Sequence, residues 1–137
     1  MVYGKPLFDC AGAQIHAVCR QLATVVSING VVDDTNIERV TAFVRRFVLA
    51  EKGFVLDLSG VTSFSPQGVS LLYGVDESCF ATEVEWALIT SAAVEDALGG
   101  VAAGFPVAAS VPDALHRFAA GIDERRRLLP LLTKKTA

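Results

Sequence analysis

Apolar and polar positions along this chain follow two periods. Thr24-Val25-Val26-Ser27-Ile28-Asn29 is rich in β-branched residues and stops at Gly30, which predicts a strand; Gln14 to Cys19 carries a weaker strand pattern. From Ile37 the period lengthens. Ile37, Val40, Val44, Phe47 and Val48 recur at helical spacing, with Arg39, Arg45 and Arg46 mostly on other faces. Asp33-Asp34-Thr35 supplies N-cap chemistry, Thr35 and Glu38 have capping-box spacing, and Gly53 is the expected stop.

Phe54-Val55-Leu56-Asp57-Leu58 is an apolar run of strand length, expected to be buried on both faces. Gly60 to Pro66 reads as loop, and the next helix is predicted over 66–80. Val84 to Ile89 follows as a strand. Thr90 or Ser91 caps a short helix that ends at Gly99-Gly100. Phe105-Pro106-Val107 is a brief strand, which Pro106 confines to an edge or a strand start. Ser110 and Asp113 form another capping box, opening a helix with Leu115 and Phe118 on one side and Gly121 as its expected end.

The order is strand, strand, helix, then strands each followed by a helix. Such alternation predicts an α/β fold, a mixed sheet of about five strands with about four helices, in which helical crossovers join parallel strands. The short spacing of the first two strands predicts an antiparallel hairpin. One domain is expected over 1–120, with a helical or flexible tail over 121–137.

Composition narrows the function. The chain has 137 residues, 52% hydrophobic and 8% aromatic, enough for one core without disulfide or metal staples. Lys and Arg number 12 against 15 Asp and Glu, for a net charge of −3, so a dedicated nucleic-acid binder is not expected. The apolar stretch from Ala97 to Pro112 is too short and too Gly-rich to span a bilayer, and the first residues lack the pattern of a signal peptide. A cytoplasmic location is therefore expected. The basic residues Arg125, Arg126, Arg127, Lys134 and Lys135 of the tail read first as a solvated end.

Catalytic and metal chemistry find little footing. Cys10, Cys19 and Cys79 form no C-x-x-C pair, and His16 and His116 do not complete a ligand set, so neither metal nor cofactor is expected. Cys19 and Cys79 read as small, partly buried hydrophobes, with Cys10 and Cys19 as candidates for a redox switch. Nothing in the spacing brings a histidine toward Asp57 or a cysteine, as a nucleophilic triad needs. A phospho-aspartate receiver is also excluded. Asp57 ends a buried strand, but the lysine that chemistry needs after the last strand is missing, with Ala108-Ala109-Ser110 in its place.

The informative segment is Phe54–Tyr73, FVLDLSGVTSFSPQGVSLLY. Ser65 has the chemistry of an N-cap, Pro66 sits where a missing N–H costs nothing, and Phe64 is placed to staple onto Val69. The result is a buried strand, a tight loop and a helix whose electropositive N-terminus favours a phosphate or a partner carboxylate. The stretch VLDLSGVTSFSPQGV resembles the signature of the STAS domain of bacterial anti-sigma factor antagonists, roughly vvlDLsgVtfiDSSGl, without a gap. Ile28-Asn29-Gly30-Val31-Val32-Asp33 is similar to the family's strand ending in GeLD. Phe105-Pro106-Val107 followed by Val111-Pro112-Asp113-Ala114-Leu115 is similar to its last strand and helix, which extends the resemblance over residues 13–119.

The resemblance implies a STAS-like fold and a regulatory protein, not an enzyme. Members bind a kinase-type anti-sigma factor and release the sigma factor. The kinase reverses this by phosphorylating the serine before the glycine of D-S-S-G, which adds about −1.5 to −2 charges inside the interface. By position, the family's Asp falls on Ser65, its first Ser on Pro66 and its phosphoacceptor on Gln67, while the glycine is kept as Gly68. Gln67 cannot accept phosphate. Ser65 is the candidate substitute acceptor. The implied partner surface is Ser63, Ser65, Pro66, Gln67 and Gly68, with the exposed side of the next helix, including Ser70, Gly74 and Glu77. The partner is an anti-sigma factor or a related kinase-type regulator; monomer and homodimer both stay open. The alternative is a STAS ligand-sensing or transporter-associated module that binds a nucleotide, lipid or anion.

Overall fold

The computed structural model describes residues 8–122. Its centre is a five-stranded sheet in the order β1-β2-β3-β4-β5. The strands are β1 (Phe8–Cys10), β2 (Ala13–Cys19), β3 (Ala23–Val32), β4 (Gly53–Phe64) and β5 (Trp86–Ile89). β1, β2 and β3 pair antiparallel, whereas β3 with β4 and β4 with β5 pair parallel. The helices are α1 (Ile37–Arg45), α2 (Val69–Thr82), α3 (Ala92–Leu98) and α4 over 111–122. The predicted mixed sheet with helical crossovers is thus the observed architecture.

The alternating burial of the strands divides the core in two. Val26, Ile28, Leu56, Leu58 and Leu88 pack with Val40 and Val44 of α1, Leu72 and Val75 of α2 and Val94 of α3. Their neighbours Val25, Val55, Ala87 and Ile89 face the other way, against Ala114 and Phe118 of α4. Side chains on successive strand residues point to opposite faces, so β3, β4 and β5 need apolar residues at both parities. That accounts for the apolar run at 54–58, interrupted only by half-buried Asp57.

Several boundaries differ from the sequence expectation. β1 lies outside that expectation, because its hairpin turns through Ala11 (φ 47°) and Gly12 (φ 105°), an Ala-Gly pair in place of the Asn-Gly that usually marks such a turn. Conversely, the expected strand at 105–107 shrinks to a single parallel bridge, Leu88 to Val107. β4 runs on through the expected loop to Phe64, its register against β3 slipping twice, between Ser27 and Asn29 and between Gly30 and Val31. Ser59 N–H donates to Asp57 Oδ1 (3.0 Å) at the first slip and Thr62 Oγ1 donates to the Gly30 carbonyl (3.2 Å) at the second. Bulges of this kind bend a strand and re-aim the chain beyond it.

The helix ends also differ. α1 ends at Arg45, well before Gly53, which starts β4 instead. The Thr35–Glu38 capping box does not form. Thr35 N–H donates to Asp33 Oδ1 (2.9 Å), and Asn36 occupies the cap position without a side-chain cap bond. Ser91 does cap α3, accepting from Val94 N–H at 3.3 Å. Ser110 accepts from Asp113 N–H at 3.2 Å, so the second capping box is half realised, with Asp113 reaching Ala109 N–H instead of Ser110. α4 continues through Gly121, and the tail beyond 122, with its basic residues, lies outside the described residues.

Candidate functional site

Parallel pairing of β3 and β4 brings the segments that follow them to the same end of the sheet. Val32 pairs with Phe64 at the last register position, and Ser65 N–H then donates to the Val32 carbonyl (2.9 Å). The Asp33–Asn36 turn and the Ser65–Gly68 turn therefore stand side by side. In open α/β sheets the carboxyl ends of parallel strands are the usual place for function.

The second turn is a short 3-10 segment, Pro66–Gly68, that runs directly into α2. Pro66 sits at its first position, as expected of a residue with no N–H to satisfy. Gly68 N–H donates to the Ser65 carbonyl at 2.8 Å. Gly68 is buried and glycine is required there by space: a Cβ would stand 2.5 Å from Cζ of the Phe64 ring. Pro66 and Gln67 are exposed, and Ser70 Oγ on the next turn donates to the Gln67 carbonyl (2.9 Å).

Ser65 behaves differently from the expectation. It occupies the N-cap position but makes no side-chain cap bond, and its Oγ is buried without a hydrogen-bond partner. Its hydroxyl is therefore not presented to a phosphoryl donor in this conformation. Ser63 is exposed.

The expected partner surface splits into two patches. Ser63, Pro66 and Gln67 form the exposed edge of the turn, with Ser65 and Gly68 as its inner support. Exposed Ser70 and half-buried Gly74 line a groove of about 300 Å³ against Glu38, Thr41 and Arg45 of α1. α1 comes so near that a Cβ on Gly74 would stand 3.1 Å from Thr41 Cγ2. Glu77 closes this side through Arg45, at 3.6 Å, while Arg45 Nε donates to Ser78 Oγ (2.7 Å). A larger cleft of about 340 Å³ lies at the opposite end of the sheet, lined by Glu51, Gly53, Glu83 and Phe118.

Two features of the site region are not apparent in the sequence. Asn36 is buried and bridges three segments. Its Nδ2 donates to the Cys10 carbonyl (3.1 Å) and the Val31 carbonyl (2.9 Å), and its Oδ1 accepts from Asp33 N–H (3.0 Å). It locks the β1–β2 turn to the end of β3, and only the position of an Asn just ahead of an apolar stripe hints at it. The sheet also aligns His16, Ser27 and Asp57 in one row, because Ser27 pairs with both of the others. The expectation that no histidine approaches Asp57 is corrected to that extent. The serine stands in the middle, however, and a nucleophilic triad needs the histidine between serine and carboxylate.

The cysteines do not converge. Cys10 pairs with Ala13 at one end of β2, whereas Cys19 ends that strand, on the order of 20 Å away at about 3.3 Å per residue. A disulfide needs Cα atoms within about 7 Å, so the candidate Cys10–Cys19 switch has no intramolecular geometry. Cys10 and Cys79 are buried and Cys19 is exposed. Burial, with a smaller contribution from the Asp76 charge, pushes the Cys79 thiol up to about 12. Among the described residues no group of three or more His, Cys, Asp or Glu is gathered to hold a metal ion, and no helix is long and apolar enough to cross a membrane.

A mixed five-stranded sheet with a helix-opening turn at the end of its central parallel pair defines a class of small α/β domain. The sequence matches the STAS domain over residues 14–114, and the chain belongs to that family. It is 46% identical over 138 residues to Osmosensory protein A of Mycobacterium tuberculosis, covering 96% of this chain and 87% of that protein. Its fold is similar to that of an anti-sigma factor antagonist from Mycobacterium paratuberculosis. That likeness has a TM-score of 0.68 at 20% identity, over 78% of this chain and 94% of the other. It is also similar to the anti-sigma factor antagonist SpoIIAA in its unphosphorylated form. There the TM-score is 0.63 at 15% identity, over 79% and 96% of the two chains.

Proposed function

We propose that this chain is a non-enzymatic regulator that binds an anti-sigma factor or a related kinase-type partner through the loop and helix over 63–78. It is not switched by phosphorylation at the position where its family carries a serine. The observation that carries this reading is Gln67, exposed on the turn that opens α2 and lacking any hydroxyl. The STAS family membership and the two antagonist structures of like fold support the partner class. A relative named Osmosensory protein A supports an osmotic input to this regulator.

The test is calorimetric titration of the purified chain against the anti-sigma kinases of its own genome. Binding is expected for one of them. Gln67→Glu, which places a charge at the helix start, weakens it at least tenfold, while Glu51→Gln at the opposite end of the sheet leaves it unchanged. Incubated with ATP and that kinase, the wild type keeps its mass and Gln67→Ser gains one phosphate. The absence of binding to every candidate kinase overturns the reading, and phosphate on the wild-type turn overturns its second half. A nucleotide, lipid or anion that raises the melting temperature would instead identify a ligand-sensing module.

A further inference from the structure

The outer side of α2 carries chemistry that neither the sheet nor the 63–68 loop uses. A helix lying on a sheet buries one stripe and turns polar residues to solvent on the other. Leu71, Leu72, Val75 and Cys79 form the buried stripe of α2, yet Tyr73 is 56% exposed and Phe80 is 86% exposed. Seven residues span nearly two turns, so these two rings stand almost in line along the helix. Exposed Asp76 lies on the turn between them. The aromatic surface continues behind Tyr73. Its ring meets Phe105 edge-on at 5.3 Å, and Phe105 meets Trp86 at 6.1 Å. Rings braced in this way offer contact area at low cost in conformational freedom.

Charge decides what covers this face. α2 contains Asp76 and Glu77 and no Lys or Arg, and exposed Glu83 follows as its C-cap. Glu77 turns toward α1 and Arg45. Asp76 accepts a hydrogen bond from Trp86 Nε1 (2.9 Å), a neutral donor that orients the carboxylate without cancelling its charge. A second copy of the same face would set these carboxylates against their own kind, which like-charge repulsion disfavours. A partner carrying Lys or Arg beside aliphatic residues meets both features at once.

We infer that the Tyr73–Phe80 face of α2 is a docking surface for a basic amphipathic helix of a partner protein. Its aliphatic side chains cover Tyr73 and Phe80, and its cations pair with Asp76 and Glu83. The inference rests on the reading of this chain as a protein-binding module but not on the loop, because Phe80 lies about 18 Å along the helix from Gly68.

The experiment uses the full chain and two synthetic helical peptides of identical spacing, one built from Leu and Lys, the other from Leu and Glu. Trp86 is the reporter; it is the chain's one tryptophan and is tied to the face through Asp76. The Leu/Lys peptide is expected to bind and shift Trp86 emission, and the Leu/Glu peptide is not. Phe80→Ser and Tyr73→Ser each weaken the affinity by about thirtyfold, the scale of an aromatic anchor. Asp76→Asn weakens binding and flattens its salt dependence, and Gln67→Glu changes neither. Unaltered melting of Phe80→Ser confirms that the scaffold is intact. Failure of the Leu/Lys peptide to bind overturns the inference, as does binding indifferent to Phe80→Ser. A dimer in sedimentation that Phe80→Ser abolishes overturns it too, in favour of a second copy. If Gln67→Glu abolishes kinase binding while Phe80→Ser leaves both kinase and peptide binding intact, the loop reading stands and this one falls.

Discussion

One methyl group at Gly68 measures how tightly the Ser65–Gly68 turn is seated on the core. An added Cβ would stand 2.5 Å from Phe64 Cζ and 2.7 and 2.8 Å from the adjoining ring atoms. Non-bonded carbons rest at about 3.5–4.0 Å, so the ring must withdraw by about 1 Å. Phe64 is only 7% exposed and belongs to the main core, which resists that movement. Overpacking of this kind costs about 1–3 kcal/mol. Against it stands the helix preference for Ala over Gly, about 1 kcal/mol, with no strain at a backbone of φ −60° and ψ −20°. At the middle of that range the steric cost wins, and Gly68→Ala is expected to destabilise the chain by about 1 kcal/mol, lowering the melting temperature by about 3–4 °C. Urea denaturation of Gly68→Ala, Phe64→Leu and the double variant tests the cause. If the ring is the obstacle, the double variant is more stable than the sum of the single losses by about 1 kcal/mol. Strict additivity, or a stabilising Gly68→Ala, refutes the steric account.

Asn36→Ala removes a donor from the Cys10, Ala11 and Val31 carbonyls and an acceptor from Asp33 N–H, and about 2–4 kcal/mol of stability is expected to go with them; a loss under about 1 kcal/mol in urea denaturation would count against it. Native thiol labelling is expected at exposed Cys19 alone. Cys79, at about 12, holds about one part in ten thousand as thiolate at pH 8 and reacts only on unfolding. Equal native rates for the two would contradict the burial. Hydrogen bonds from the Thr35 side chain and then its backbone hold the Asp33 carboxyl below its ordinary 3.8. A depressed carboxyl adds stability that is present above the unfolded value and lost as pH falls through the folded one. Thr35→Val is therefore expected to destabilise the chain at neutral pH, with the gap to wild type closing below 3.8. A gap independent of pH refutes that link.

How much of the fold and the site is legible in the sequence depends on whether a residue's role is local. β-branched runs and helical spacing locate β3, α1, α2 and α4, because burial against one sheet imposes period and composition together. Ser91 and Ser110 announce their caps because such bonds reach only a few residues. The differences at the site are mostly long-range. Asn36 bonds to carbonyls of Cys10 and Val31, and β4 runs past Gly60 because β3 continues to offer it partners. Ser70 and Gly74 belong to the α1 groove, since the rotation of α2 about its axis is set by packing that the sequence does not state. Phe80 has no part in the core and is apolar all the same, a sequence anomaly that helical spacing alone absorbs as one more hydrophobic position.

The turn itself explains how residue 67, where the resemblance places the family's phosphoacceptor, can change while the local shape persists. What holds Ser65–Gly68 in place is backbone and core: Ser65 N–H to the Val32 carbonyl, Gly68 N–H to the Ser65 carbonyl, and the Phe64 ring beneath Gly68. None of these bonds uses the side chain of residue 67. The Gln67 side chain is exposed, so substitutions there alter the chemistry of the surface and leave its shape. Gln67→Ser is accordingly expected to change stability by less than about 0.5 kcal/mol in urea denaturation, the range of surface substitutions away from special contacts. A larger loss would mean that the glutamine helps build the turn. In that case its effect on partner binding could no longer be assigned to the missing hydroxyl.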